Sequence, residues 1–121
     1  MHNALTDKVV KKYFRVYHNQ PAILVFAPGR INLIGEHTDY SDGFVLPVAI
    51  HLAIAIAMTP RDDTLIKLYS IDLNEQIEFD LNDLTKERGG WQEYIKGVAW
   101  ALRENGHPLQ GWQGVIAGSI P

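Results

Sequence analysis

Hydrophobic positions repeat along the chain with two different periods, and these periods divide it into helices and strands. Apolar residues recur at spacings of three and four between Leu5 and Tyr17 and again between Trp91 and Glu104, which predicts two amphipathic helices. Shorter apolar or alternating runs predict strands over residues 22–27, 31–34, 44–48, 52–59, 65–70, 76–81 and 114–118. Strands that precede and separate two helices indicate an α+β fold rather than a regular βαβ alternation.

The pattern also predicts which side chains are buried. Thr6 is the expected N-cap of the first helix, and the second helix should bury a stripe formed by Trp91, Ile95, Val98 and Leu102. The 52–59 strand places Leu52, Ile54 and Ile56 on one face and alanines on the other. The 65–70 strand alternates without deciding whether Ile66 and Leu68 face the core.

A cluster of polar residues lies between two apolar runs, Ile23–Phe26 and Phe44–Ile50. Its members are Arg30, Asn32, Glu36, His37, Asp39, Tyr40 and Asp42. Charges held between buried strands cost desolvation free energy unless they have partners. Either these side chains neutralise one another, or they bind a polar ligand.

The residue types in this cluster suit a polyhydroxylated ligand. Ionised Glu36 and Asp39 are acceptors only, and each can receive two hydroxyl protons, as neighbouring sugar hydroxyls present them. Arg30 carries a forked set of donors that suits phosphate or charge developing on oxygen. Alternatives remain open, namely an ion pair of Arg30 with a nearby carboxylate, a structural turn, or a metal site formed by Glu36, His37 and Asp39.

Composition narrows the class of protein. The chain has 121 residues, 46% of them hydrophobic and 21% charged, which suits one globular domain. A net charge of −3 argues against nucleic acid or an anionic membrane as partner. There are no cysteines and no apolar stretch of the ~20 residues that span a bilayer, so a cytoplasmic protein is expected.

One long motif resembles a known family. Residues 28–40 (PGRINLIGEHTDY) followed by 42–47 (DGFVLP) closely resemble the N-terminal signature of galactokinases, which are GHMP small-molecule kinases. Mevalonate-type kinases are similar only in a shorter core, typically with Lys at the position of Arg30. The resemblance implies a GHMP kinase N-terminal domain, similar to domain 2 of ribosomal protein S5. Residues 1–121 would form one incomplete domain with the galactose-binding signature at 27–50.

The resemblance also implies roles for individual residues. Arg30 would be catalytic, stabilising the transferred phosphoryl group, while Glu36 and His37 would hold the hydroxymethyl end of galactose and Asp39 a pair of ring hydroxyls. Trp91 and Tyr94 match aromatic positions that flank the adenine pocket, although core packing is the competing interpretation. ATP and Mg²⁺ are the implied cofactors, bound mainly by parts absent from this chain. No metal site in the protein is predicted, and the full-length protein is expected to be a monomer.

The sequence lacks a Gly-rich loop that could cradle phosphates. The resemblance places that loop and the catalytic aspartate beyond residue 121, so we expect a truncated chain, inactive by itself, whose uncovered apolar surface makes it fold poorly or associate. Two alternatives to a galactose kinase fit the same motif. One is a galactokinase-like sugar sensor that regulates transcription, and the other is a sibling kinase for N-acetylgalactosamine or arabinose.

Overall fold

Two helices and five strands make up the part of the chain that the structure describes. The computed structural model describes residues 3–34, 46–85 and 89–119, with the side chains of all of these except residue 3 and those at 30–34 and 46–51. In chain order the elements are α1 (Asn3–Tyr17), β1 (Ile23–Ile34), β2 (Leu46–Pro60), β3 (Leu65–Ser70), β4 (Glu75–Asp80), α2 (Gln92–Glu104) and β5 (Trp112–Gly118). The predicted α+β class is confirmed. Within the described ranges, neither helix is long and apolar enough to cross a bilayer.

The strands form a single sheet in the order β1-β2-β5-β3-β4. β5, the last strand in the sequence, lies at its centre, antiparallel to β2 and parallel to β3. The pairs β1–β2 and β3–β4 are both antiparallel and connect neighbouring strands in the sequence. Two hairpin-like pairs are therefore joined through β5.

β1 and β2 are each longer than the sequence pattern predicts. The predicted strands 22–27 and 31–34 belong to one strand, whose register shifts between Pro28 and Arg30. Proline has no backbone N–H to donate to a neighbouring strand. β1 tolerates Pro28 because it is an edge strand with a neighbour on one side only, and a bulge accommodates the shift in register. The predicted strands 44–48 and 52–59 likewise merge into β2, although residues 44 and 45 lie outside the described residues.

α1 packs on the alanine face of β2. Val9 and Tyr13 are fully buried against Ala55 and Ala57, together with Val115 and Ala117 of β5. The predicted division of β2 into an alanine face and a larger aliphatic face is confirmed. The prediction of Thr6 as the N-cap is wrong, because the helix begins at Asn3 and Thr6 lies inside it.

α2 lies on the opposite face of the sheet. Ile66 and Leu68 of β3 are buried there, which settles the facing of that strand. Trp91, Ile95 and Ala99 of α2 pack against this cluster. The predicted stripe is wrong in its second half, because Val98 is 61% and Leu102 41% exposed. Both line an apolar cleft of about 390 Å³ between α2 and the sheet.

A chain of hydrogen bonds connects α1 with the end of β2 and the start of β5. The Tyr13 hydroxyl donates to Thr59 Oγ1 at 2.6 Å and accepts from Gln113 Nε2 at 3.3 Å. Arg61 donates from NH1 to Gln113 Oε1 at 2.7 Å and forms two bonds to the Asp63 carboxylate. These bonds from Arg61 lower the pKa of Asp63 to about 2, so Asp63 stays ionised where an ordinary aspartate is protonated.

The β1–β2 end of the α2 face is largely uncovered. The register pairs Val25 with Ile56 and Ala27 with Ile54, so these side chains share a face. Ile23, Val25 and Ile54 are 44%, 42% and 39% exposed. Neighbouring exposed aliphatic side chains of this kind mark a surface that becomes buried against another surface.

We expect the isolated 121-residue chain to self-associate through this face. The double variant Val25→Thr/Ile54→Thr should shift the sedimentation equilibrium towards monomer. Threonine keeps the β-branched shape and replaces one apolar branch, a methyl group of Val25 or an ethyl group of Ile54, by a hydroxyl. Leu73→Thr is the matched control, because Leu73 is 53% exposed but lies in the β3–β4 turn. A wild-type chain that remains monomeric at every concentration, with a sharp melting transition, would contradict this expectation.

Gly111 is required by close packing. A Cβ at this position would lie 2.4 Å from the Asp63 carbonyl oxygen and 2.7 Å from that of Leu65. We expect Gly111→Ala to lower the free energy of unfolding by about 3 kcal/mol. Gly97→Ala is the control; open space surrounds Gly97 within α2, so alanine should raise stability by up to about 1 kcal/mol. Urea denaturation at one protein concentration measures both, and equal effects would refute the packing argument.

Candidate functional site

The structure describes some of the predicted site residues and not others. The backbone of Arg30 lies in β1, where its Cα is paired with that of Ala49 in β2. Glu36, His37 and Asp39 lie outside the described residues, so their sugar-binding roles remain predictions. The residues that flank this segment, Ile34 and Leu46, are Cα partners at the end of the β1–β2 pair.

Arg30 belongs to a part of the β1–β2 pair that projects past the centre of the sheet. The last residue of β5, Gly118, pairs with Ile54, whereas the pairing of β1 with β2 continues as far as Leu46. Antiparallel pairing fixes the backbone on which Arg30 stands, and a site on paired strands is held more precisely than one on a loop.

Several segments meet at the end of the sheet from which this pair projects. The Ser119 N–H donates to the Ala53 carbonyl oxygen at 2.8 Å, and the Gly118 N–H donates to Asp72 Oδ2, also at 2.8 Å. Asp72 lies in the turn between β3 and β4. The carboxyl end of β5, the β3–β4 turn and the base of the β1–β2 projection therefore adjoin one another.

Trp91 lies near the same end of the sheet. It is the N-cap residue of α2, and its indole Nε1 donates to Oε2 of Glu75, the first residue of β4, at 3.0 Å. Its ring also packs against the buried cluster formed by β3 and β4. The interpretation that Trp91 packs on the core is confirmed by this contact. The role of Trp91 beside adenine stays a prediction.

Tyr94 differs from Trp91 in its surroundings. It is 79% exposed, although its N–H donates to the Trp91 carbonyl oxygen at 3.1 Å and so ties it to the same turn. An aromatic ring held in solvent on a helix is free to stack on a flat ligand.

A cavity of about 220 Å³ opens beside Trp91. Glu75, Ile77, Gly89 and Gly90 are among the residues that line it. The two glycines have φ values of 51° and 83°, a conformation that side chains rarely adopt. The backbone before α2 is thereby left open on the side of this cavity.

The sequence pattern assigns no role to Lys96, which the structure buries to 5% exposure. Its Nζ donates to the Thr85 carbonyl oxygen at 3.3 Å, lies 3.6 Å from Glu93 Oε2 and stands 5.8 Å from the centre of the Phe79 ring. Glu93 and Lys96 are three residues apart on a helix, and this spacing is the feature of the sequence that could have predicted their ion pair.

The loop before α2 is ordered by its own side chains. The Thr85 hydroxyl donates to Asp83 Oδ1 at 2.6 Å and the Thr85 N–H donates to the same oxygen at 3.3 Å. These bonds hold the pKa of the Asp83 carboxyl below its usual range.

A metal ion finds no ligand set in the described ranges. Among the side chains that the structure describes, no three histidines, aspartates or glutamates are arranged to hold one. The described residues therefore do not fit a protein-bound Mg²⁺ site, and no step is assigned to such a site.

Comparison with known proteins identifies the segment around Arg30. Residues 11–60 match the family model described as the galactokinase galactose-binding signature. The galactokinase of Roseiflexus sp. (strain RS-1) is 41% identical over 116 residues, covering 96% of this chain and 30% of that protein.

Solved structures agree in fold. The crystal structure of Lactococcus lactis galactokinase complexed with galactose matches with a TM-score of 0.80 and 37% identity, over 98% of this chain and 31% of that one. Methanococcus jannaschii mevalonate kinase, at 23% identity and a TM-score of 0.61 over 82% of this chain and 33% of that one, shares the fold. The chain thus spans about a third of the length of the proteins it matches.

The contact of Trp91 with Glu75 yields a test. Trp91→Phe removes the indole donor and part of the packing, so we expect a loss of about 1–2 kcal/mol in the free energy of unfolding. Trp100→Phe is the control, because Trp100 on the same helix is 56% exposed, and its loss should stay within about 0.5 kcal/mol. Equal shifts of the urea midpoint would show that Trp91 does not anchor α2.

Proposed function

Because the chain belongs to the galactokinase family, we propose that the protein of which it forms a part transfers the γ-phosphoryl group of ATP to the anomeric hydroxyl of galactose. The observation that carries this proposal is the match of residues 11–60 to the galactose-binding signature. The likeness in fold to a galactokinase complexed with galactose supports it. Galactose and ATP are the proposed substrates, and galactose 1-phosphate and ADP are the products.

In this proposal the segment between Ile34 and Leu46 selects the sugar. Glu36 and His37 bind the hydroxymethyl end of galactose, and Asp39 accepts hydrogen bonds from two ring hydroxyls. Carboxylates suit this task because an ionised carboxylate accepts several hydrogen bonds and donates none. Discrimination against other sugars follows from hydroxyl matching, since a buried acceptor left without its donor costs binding free energy.

Arg30 is the proposed catalytic residue. Phosphoryl transfer offers little covalent chemistry to the protein, so positioning and electrostatic stabilisation supply most of the rate. A guanidinium remains charged at every relevant pH and offers forked donors to phosphoryl oxygens. The paired backbone of β1 and β2 at Arg30 supports this role by fixing the point from which the side chain extends.

ATP is proposed to bind with its adenine beside Trp91 and Tyr94. The exposure of Tyr94 and the cavity beside Trp91 support this placement. Mg²⁺ enters with the nucleotide, where it would neutralise phosphate charge. The phosphate-binding loop and the catalytic aspartate are proposed to come from the two-thirds of the relatives' length that this chain does not span, so residues 1–121 alone should show no turnover. A cytoplasmic monomer is the proposed form of the full protein.

The proposal is tested on the full-length protein by coupling ADP release to added sugar. We expect turnover with galactose to exceed that with N-acetylgalactosamine and arabinose. Arg30→Ala should lower kcat by about 100- to 1,000-fold, the cost of removing one preorganised transition-state donor. Arg15→Ala, an exposed position on α1, is the control and should leave kcat unchanged.

Three outcomes would contradict the proposal. Binding of galactose and ATP without turnover would make the protein a sugar sensor. Preference for another sugar would make it a sibling kinase. An unchanged kcat in Arg30→Ala would remove Arg30 from the catalytic machinery.

A further inference from the structure

Lys96 is a buried cation whose contacts join three separate parts of the chain. Lysine is rarely buried, because an ammonium group loses its hydration unless other groups replace it. In this structure its Nζ contacts the loop at Thr85, the first turn of α2 at Glu93 and the ring of Phe79 in β4. Removing the charge would leave the groups around Nζ without their partner, a loss that an apolar residue in this position could not make good.

The start of α2 depends on such side-chain anchors. Trp91 at the N-cap makes no side-chain capping hydrogen bond. The preceding Gly89 and Gly90 have positive φ values and touch no heavy atom within 4 Å at the position of a Cβ. The two glycines therefore contribute no side-chain packing of their own. Among the described residues, this turn is held by the Glu93 N–H, which donates to the Gly90 carbonyl oxygen, by the Trp91–Glu75 hydrogen bond and by the contacts of Lys96.

We propose that Lys96 is a positioning residue for the nucleotide: by joining Thr85, Glu93 and Phe79 it fixes the first turn of α2, and with it Trp91 and Tyr94. This inference rests on the proposed function, in which Trp91 and Tyr94 flank adenine. Lys96 acts through the helix rather than on ATP, since its side chain is buried among protein groups. Glu93 lies between Trp91 and Tyr94 in the sequence, so the cation is tied directly to the turn that carries both rings.

The test uses the full-length protein with Lys96→Met, which keeps an unbranched side chain only one atom shorter and removes its charge. We expect KM for ATP to rise about tenfold, as for the loss of a hydrogen bond to a charged group, with KM for galactose changed by less than about twofold. Lys96→Arg retains the cation and should restore most of the affinity for ATP.

Lys12→Met is the matched control. Lys12 also holds its Nζ over a ring, 5.0 Å from the centre of Tyr69, but it stands on α1 on the other face of the sheet. This variant should leave both KM values unchanged. A Lys96→Met enzyme whose two KM values rise equally, or whose Tm falls with both KM values unchanged, would overturn the proposal.

Two additions keep the test decisive. If Lys96→Met does not fold, Lys96→Gln keeps a hydrogen-bond donor without the charge, and a wild-type KM for ATP in that variant would overturn the role of the cation. If the wild-type protein lacks galactokinase activity, the proposed function fails by itself. Amide hydrogen exchange over residues 91–95 then tests positioning independently, because faster exchange in the Lys96 variant than in Lys12→Met supports the anchor and equal exchange overturns it.

Discussion

The close approach of α1 to the sheet is the constraint on which the rest of the structure depends. Three alanines on one face of β2, at positions 53, 55 and 57, are buried to 1% exposure or less. Alanine has a low strand propensity, so Ala55 and Ala57, which pack in the same cluster as Val9 and Tyr13, are explained by the space they leave for α1 rather than by any preference for the strand. The Tyr13 hydroxyl is hydrogen-bonded to Thr59 of β2 and Gln113 of β5 and so ties the helix to both strands.

The alanine face of β2, packed against α1, is continuous with the projecting part of the β1–β2 pair. β2 continues from the alanine face into the projection it forms with β1, where Arg30 stands. The two regions to which site residues are assigned, around Arg30 and around Trp91, are thus held by different contacts. The backbone of Arg30 lies in the antiparallel pair of β1 and β2, between two shifts of register. Trp91 and Tyr94 stand at the start of α2, which packs on the buried cluster of β3 and β4 and is also held by the contacts of Trp91 and Lys96.

Much of the fold was predictable from the sequence because most segments have one clear period. The strand Leu65–Ser70 was predicted with its observed bounds, and both helices end where predicted. The sequence did not predict which face of α2 turns towards the sheet, because its apolar residues extend around more than one face. Packing against the sheet partly buries Ile95 and Ala99 and leaves Val98 exposed. At the site, residue types and spacing predict roles for Arg30 and its neighbours, and these roles remain predictions. The burial of Lys96 depends on the surroundings of its helix, which no local pattern encodes.

The central position of β5 has a consequence for the order in which the molecule is made. Its residues, Trp112–Gly118, are the last of the seven elements to leave the ribosome, yet they separate β2 from β3 in the sheet. Until they emerge, the two antiparallel pairs have no strand between them, and the contact of Gln113 with Tyr13 spans 100 positions of sequence. While this part of the chain is being made, the β1–β2 and β3–β4 pairs therefore lack the strand that joins them, and we expect their closure by β5 to be slow because it depends on contacts distant in sequence.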